Sequence, residues 1–228
     1  MFIRIKEATK MNKDLTQLVM ILDRSGSMGG REDDTIGGYN SFLDKQRKQE
    51  GCCLVTTVLF DDRCELLHER KDVEKIAPLT QNDYYVRGCT ALLDAVGRSI
   101  RMMVNVQRKA NEDDRAANVV FVIITDGYEN ASREFSFEQI RTMIEREKME
   151  YGWEFIFLGA NIDAVAAASR IGINKERASC YHSDSRGTRL NYDALSDAVH
   201  CMRESGHISE DWSATIAADF SSRKRDDD

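Results

Sequence analysis

Three stretches of this chain are apolar without interruption: LVMIL at 18–22, VVFVII at 119–124 and FIFL at 155–158. A strand with one wet face alternates apolar and polar residues. A run without alternation must be covered on both faces, which is the habit of a parallel sheet. A fourth stretch, LVTTVLF at 54–60, is rich in β-branched residues and is spaced like the others. Parallel neighbours need a crossover between them, and the intervening segments are amphipathic. Leu92, Val96, Ile100, Met103 and Val104 share one helical face, as do Phe137, Ile140, Ile144 and the flanking Met143. Strands alternating with helices predict a doubly wound α/β fold around a mostly parallel sheet.

One link breaks the pattern. Only Asp61 and Asp62 separate Phe60 from the next strand-like segment, RCELLHE at 63–69, of which 64–69 is the expected strand. Two residues cannot hold a crossover helix, so this segment should pair antiparallel at a sheet edge. Beyond the third apolar run, 161–170 reads as an alanine-rich helix, 178–182 as a short last strand and 192–203 as a last helix. The lone Pro78 falls in a connection. A length of 228 residues suits a single domain. Its expected limits are 15–210, with an N-terminal extension at 1–14 and a charged C-terminal tail at 211–228. The block RKRDDD at 223–228 reads as solvated. In the extension, FIRI at 2–5 alternates and would suit a short edge strand; a start at Met11 is the alternative reading.

Composition excludes several classes. A net charge of −7 argues against a nucleic-acid partner, which calls for a basic face. The first residues lack the apolar core of a signal peptide, and no apolar run approaches the ~18 residues of a membrane span. The six cysteines form no C-x-x-C pair, so a zinc ribbon is not expected, and several sit in apolar surroundings as free thiols do. Together these predict a cytoplasmic protein in a reducing compartment.

The chemistry is concentrated in LDRSGSM at 22–28. Asp23 ends the first apolar run, and Ser25 and Ser27 follow at alternate positions, able to point the same way across Gly26. Asp126 ends another run, in TDG at 125–127. In an open α/β sheet, ligands bind outside the carboxyl ends of strands, where the strand order reverses. If the two strands are neighbours there, both carboxylates meet. Thr90, in RGCTALLD at 87–94, could be an ordinary helix N-cap, or a third hydroxyl for the same site. Carboxylate and hydroxyl oxygens suit a hard divalent cation, Mg²⁺ first, with Mn²⁺ or Ca²⁺ as alternatives. Two carboxylates only balance the charge, leaving the ion receptive to an anion supplied from outside.

The set Asp23-x-Ser25-x-Ser27, Thr90 and Asp126-Gly127 resembles the metal-ion-dependent adhesion site (MIDAS) of von Willebrand factor type A domains. The resemblance spans roughly 15–207. Further stretches resemble a bacterial cytosolic branch: LDRSGSM, TIGGYNSFL at 35–43, GCTALLDA at 88–95 and FLGAN at 157–161. It implies a Rossmann-like, doubly wound three-layer α/β sandwich with a mostly parallel six-stranded sheet and one antiparallel edge, and a cation coordinated by the hydroxyls of Ser25, Ser27 and Thr90. Asp23 and Asp126 would act directly or through waters. It further implies a protein partner that supplies an Asp or Glu to the metal, in some members beside an AAA+ ATPase, and no catalysis. Tyr128 departs from the family, where many members carry an acid, and is placed to shape the mouth of the site.

Two other readings compete. A haloacid-dehalogenase-type Mg²⁺ phosphohydrolase also uses a strand-end aspartate, but needs a second aspartate two positions on as general acid/base. Here that position is Ser25, and a hydroxyl shuttles protons poorly near neutral pH. A scaffold without a metal-dependent ligand is the other. Neither a G-x-G-x-x-G nor a P-loop pattern supports nucleotide binding, and His68, His182, His200 and His207 lack zinc spacing. Asp61 and Asp62 read as a solvated turn, and Asp94 as a support for the helix after Thr90.

Overall fold

A computed structural model of the protein describes residues 11–224. Six strands form one sheet in the order β3-β2-β1-β4-β5-β6. They are β1 (Asn12–Asp23), β2 (Cys52–Phe60), β3 (Cys64–Asp72), β4 (Ala116–Thr125), β5 (Glu154–Ala160) and β6 (Ala178–Tyr181). All neighbours run parallel except β3, which turns back along β2 at the edge, as so short a link requires. The helices are α1 (Glu32–Arg47), α2 (Leu92–Lys109), α3 (Phe137–Tyr151), α4 (Ala164–Arg170), α5 (Ser185–Ser205) and α6 (Ala214–Lys224).

The continuous apolar runs serve two cores. In β1, Leu18, Met20 and Leu22 face a core shared with α1, α5 and α6. Val19 and Ile21 face the opposite core, under α2, α3 and α4. Side chains alternate across a strand, so only an unbroken run can fill both layers. Each fully buried Leu, Ile or Phe contributes roughly 1.5–3 kcal/mol, so this central strand alone is a large share of the stability. On the second face, Phe121 stacks on Phe155 at 4.8 Å and on Trp153 at 5.6 Å. Helix α3 starts on a reciprocal capping box, Ser136 with Gln139, which fixes where the chain leaves the loop after β4.

The ends depart from expectation. Strand β1 begins at Asn12, within the expected extension. The helix expected last runs over Ser185–Ser205 and is followed by another, α6, in the expected charged tail. Trp212 and Ile216 are buried there, and the Trp212 indole N–H donates to the Glu176 carbonyl at 2.8 Å. Arg223 is no free charge either, pairing with Asp184 and Asp219. The alternating segment at 2–5 and the acidic end of the tail lie outside the described residues. Among the described residues no helix is long and apolar enough to cross a membrane, and all six cysteines are free.

Candidate metal centre

The order of strands reverses between β1 and β4, which pair in parallel with Leu22 beside Ile124. Asp23 and Thr125 therefore leave the sheet side by side, and Asp126 follows. Three loops converge there. The Arg24 N–H donates to the Phe60 carbonyl at 2.8 Å, holding the first loop over β2. The Gly26 N–H donates to the Gly88 carbonyl at 3.2 Å, joining the first loop to the second. The Asn130 N–H donates to the Thr90 carbonyl at 3.0 Å, joining the second to the third.

All five expected residues meet at this junction. Thr90 Oγ1 donates to Ser25 Oγ at 3.0 Å, Ser25 Oγ lies 3.1 Å from Ser27 Oγ, and Ser27 Oγ donates to Asp126 Oδ1 at 2.5 Å. Asp23 is 1% exposed, and Oδ1 accepts from the Ser25 N–H at 2.6 Å. Thr90 is not a cap: helix α2 has Ala91 at its N-cap with no side-chain bond, and the Thr90 hydroxyl turns into the cluster. Gly127 makes the closeness possible. A Cβ there would lie 2.9 Å from Thr90 Oγ1 and 3.1 Å from Ser27 Oγ.

Burial pushes the Asp23 carboxyl up to about 6, against hydrogen bonds from Ser25 and Thr125 that favour its charge. Burial likewise raises Asp126. Asp126 Oδ2 is buried with no hydrogen-bond partner. Two desolvated carboxylates, one with an orphaned oxygen, and three hydroxyls chained to one another and on to Asp126 form a donor set short of positive charge. Such a set fits a hard divalent cation, which carboxylate and hydroxyl oxygens can hold and whose charge offsets the desolvation. Among the described residues no group of three or more His, Cys, Asp or Glu could hold a metal, so no soft or all-carboxylate centre competes with it.

Several supporting residues escaped the sequence reading. Thr125 Oγ1 donates to Asp23 Oδ2 at 2.5 Å and so orients that carboxylate. The Tyr84 hydroxyl donates to the Asp23 carbonyl at 2.5 Å. Asp61 is not part of a solvated turn. It is fully buried, receiving Arg24 Nε at 2.9 Å and Arg87 Nε at 2.7 Å. Burial opposes its charge, but hydrogen bonds from Arg87 and the Arg63 N–H hold its carboxyl below the usual range. Arg24 is itself fully buried inside the first loop and reaches Glu65 at 2.7 Å. Asp62 stays in the exposed turn. Asp94 does more than support its helix, accepting the N–H groups of Arg133, Glu134 and Phe135 at 2.9, 2.9 and 3.1 Å. Tyr128 stands exposed at the mouth, its hydroxyl accepting from the Asp163 N–H at 3.1 Å.

No family model matches the chain, and no curated relative does. Solved structures do. Proximal thread matrix protein 1 from the mussel byssus, solved with a zinc-occupied MIDAS motif, is 16% identical with a TM-score of 0.58, over 81% of this chain and 46% of that one. Manganese-loaded TRAP protein of Plasmodium vivax is 13% identical with a TM-score of 0.54, over 79% and 73%. A von Willebrand factor type A protein of Catenulispora acidiphila is 12% identical with a TM-score of 0.56, over 84% and 43%. The chain thus spans less than half the length of the mussel and Catenulispora proteins. Identities this low speak for architecture alone, and on that ground the chain has the von Willebrand factor type A fold.

Proposed function

We propose that this protein is a metal-dependent protein-binding module. Ser25, Ser27 and Thr90, with Asp23 and Asp126, hold a divalent cation, Mg²⁺ by preference, and a partner protein completes its coordination with an Asp or Glu. The observation that carries the reading is the orphaned, buried Asp126 Oδ2 at the end of a chain of three hydroxyls. A bound cation gives that oxygen a partner, and the two protein carboxylates only neutralise it, so an acidic ligand still gains from binding. Metal-occupied relatives of the same fold support the site.

The reading includes no catalysis. A phosphohydrolase would need a proton-shuttling group where Ser25 stands. The side chains that hydrogen-bond to the five residues are one another and those of Tyr84, Thr125 and Asn130, with no lysine among them. We place the module in an intracellular bacterial complex, beside an AAA+ ATPase, as the resemblance implies, and the six free thiols are consistent with a reducing compartment. The test is calorimetric titration of the EDTA-stripped protein with Mg²⁺ and Mn²⁺. Saturable binding at one site, lost in Asp126→Ala with the fold intact, is the expected result. Binding that survives the substitution overturns the assignment.

A further inference from the structure

A second feature opens on the same face. The loops that leave β4 and β5 diverge, and between α4 and the starts of α2 and α3 they leave a groove of about 320 Å³. Its walls are Leu92, Phe137, Phe157, Ile162, Ala166 and Ile171. The apolar character is unusual for a loop-lined surface, where exposed apolar concavities mark binding sites.

We infer that this groove receives a large apolar side chain, of leucine or phenylalanine size, from the residue adjoining the partner's metal-bound carboxylate. The inference rests on the metal-bridged reading above. Continuity of the two sites carries it. Gly127 lines the groove, and its Cα lies so close to the hydroxyl chain that a Cβ would touch Thr90 Oγ1 and Ser27 Oγ. One residue of backbone therefore separates the groove from the metal ligands, a gap that neighbouring side chains span where the bound segment turns, since an extended one sends them to opposite faces. Tyr128 stands over the mouth, 57% exposed, tied to the far wall through the Asp163 N–H. Aromatic residues held this way, rigid and half in solvent, are the usual anchors of protein interfaces.

The charged groups at the rim do not compete for an apolar guest. The Glu129 carboxylate is engaged by the N–H groups of Leu93, Ala131 and Ser132. The Asp163 carboxylate caps α4 by accepting from the Ala166 N–H. The Arg170 guanidinium carbon sits over the Phe137 ring, 3.7 Å from its centroid, and Arg170 lines the groove while leaving positive charge on the rim. An acidic residue beside an apolar one matches this order of metal, glycine backbone and apolar groove.

The experiment uses ¹⁵N-labelled, Mg²⁺-loaded protein and short blocked peptides in which Asp is preceded or followed by Gly, Leu, Phe or Lys. Asn–Leu versions serve as controls. Leu and Phe peptides should bind about tenfold or more tighter than the Gly peptides, shifting the amides of Ile162 and Ala166. Ala166→Trp fills the groove from an exposed position on α4. It should erase that preference while leaving the affinity for Mg²⁺ and for the Asp–Gly peptides unchanged. Equal binding of Leu and Gly peptides, or no binding of any, overturns the groove assignment. If Asn–Leu peptides bind as tightly as Asp–Leu, or EDTA has no effect, the metal-bridged reading falls while the groove stands.

Discussion

Asp23 links the pH dependence of folding to the occupancy of the site. Its carboxyl is pushed up to about 6 in the folded chain, from the ordinary value of 3.8. Between those values the folded state holds a proton that the unfolded state has released, so stability falls as pH rises. The contribution is complete below pH ~4 and gone above pH ~6.5. A shift of about two units corresponds to roughly 3 kcal/mol. Other carboxylates titrate with the opposite sign, Asp61 and Asp184 being held below their usual range, so the wild-type curve alone is ambiguous. The comparison is with Asp23→Asn, which keeps the shape and cannot ionise. Urea unfolding in EDTA, followed through the fluorescence of Trp153 and Trp212, should show wild type losing roughly 3 kcal/mol relative to the variant from pH 4 to pH 7.5. Saturating Mg²⁺ at pH 7.5 should then favour wild type, since the cation binds the folded state and needs the carboxylate. A stability difference that is flat with pH would refute the argument that desolvation dominates at Asp23.

Other outcomes follow from the same geometry. Thr90→Ala should weaken Mg²⁺ binding modestly and Asp126→Ala strongly, and calorimetry on the double variant should show effects that do not add, because both act on one ion; simple summation would count against a shared ion. Asp61→Ala leaves Arg24 buried without its main counter-charge and should cost about 3–5 kcal/mol in urea unfolding, with loss of Mg²⁺ affinity as the first loop shifts. Trp212→Ala should cost about 3 kcal/mol by the same assay, since the indole is buried and hydrogen-bonded, whereas a change under about 0.5 kcal/mol would restore the picture of a loose tail.

What could be read from the residues divides along physical lines. Burial on both faces leaves its mark locally, in runs such as VVFVII, so the parallel sheet and its one antiparallel edge were legible. The convergence of Asp23, Ser25, Ser27, Thr90 and Asp126 was legible because they follow strand ends or precede a helix, positions that periodicity locates. Thr125 offered a signal in TDG, a hydroxyl beside the strand-end acid, yet it sits inside the strand pattern and reads as β-branched filler. The Arg24–Asp61 pair had no local signal at all: 37 residues separate the partners, and only the β1–β2 pairing brings them together. Helix α6 was missed for another reason. Trp212, Ile216 and Phe220 recur at helical spacing, but the charged residues beyond them drew the segment into a tail.

Asp94 sits in the first turn of α2, yet the three backbone N–H groups it accepts belong to the loop after β4. Glu129 returns the bond, accepting the Leu93 N–H from that loop. Helix α2, which follows Thr90, and the loop that carries Asp126 and Gly127 are therefore fastened together by carboxylate–amide bonds across 35 or more residues of sequence. The conformational entropy of bringing Thr90 and Asp126 together from two distant segments is therefore lost when the chain folds. If the site holds a cation as proposed, loading orders little chain, and the affinity is governed by oxygen chemistry and desolvation. On the proposed reading, a partner pulling on the cation would pull on α2 and the loop as one rigid piece.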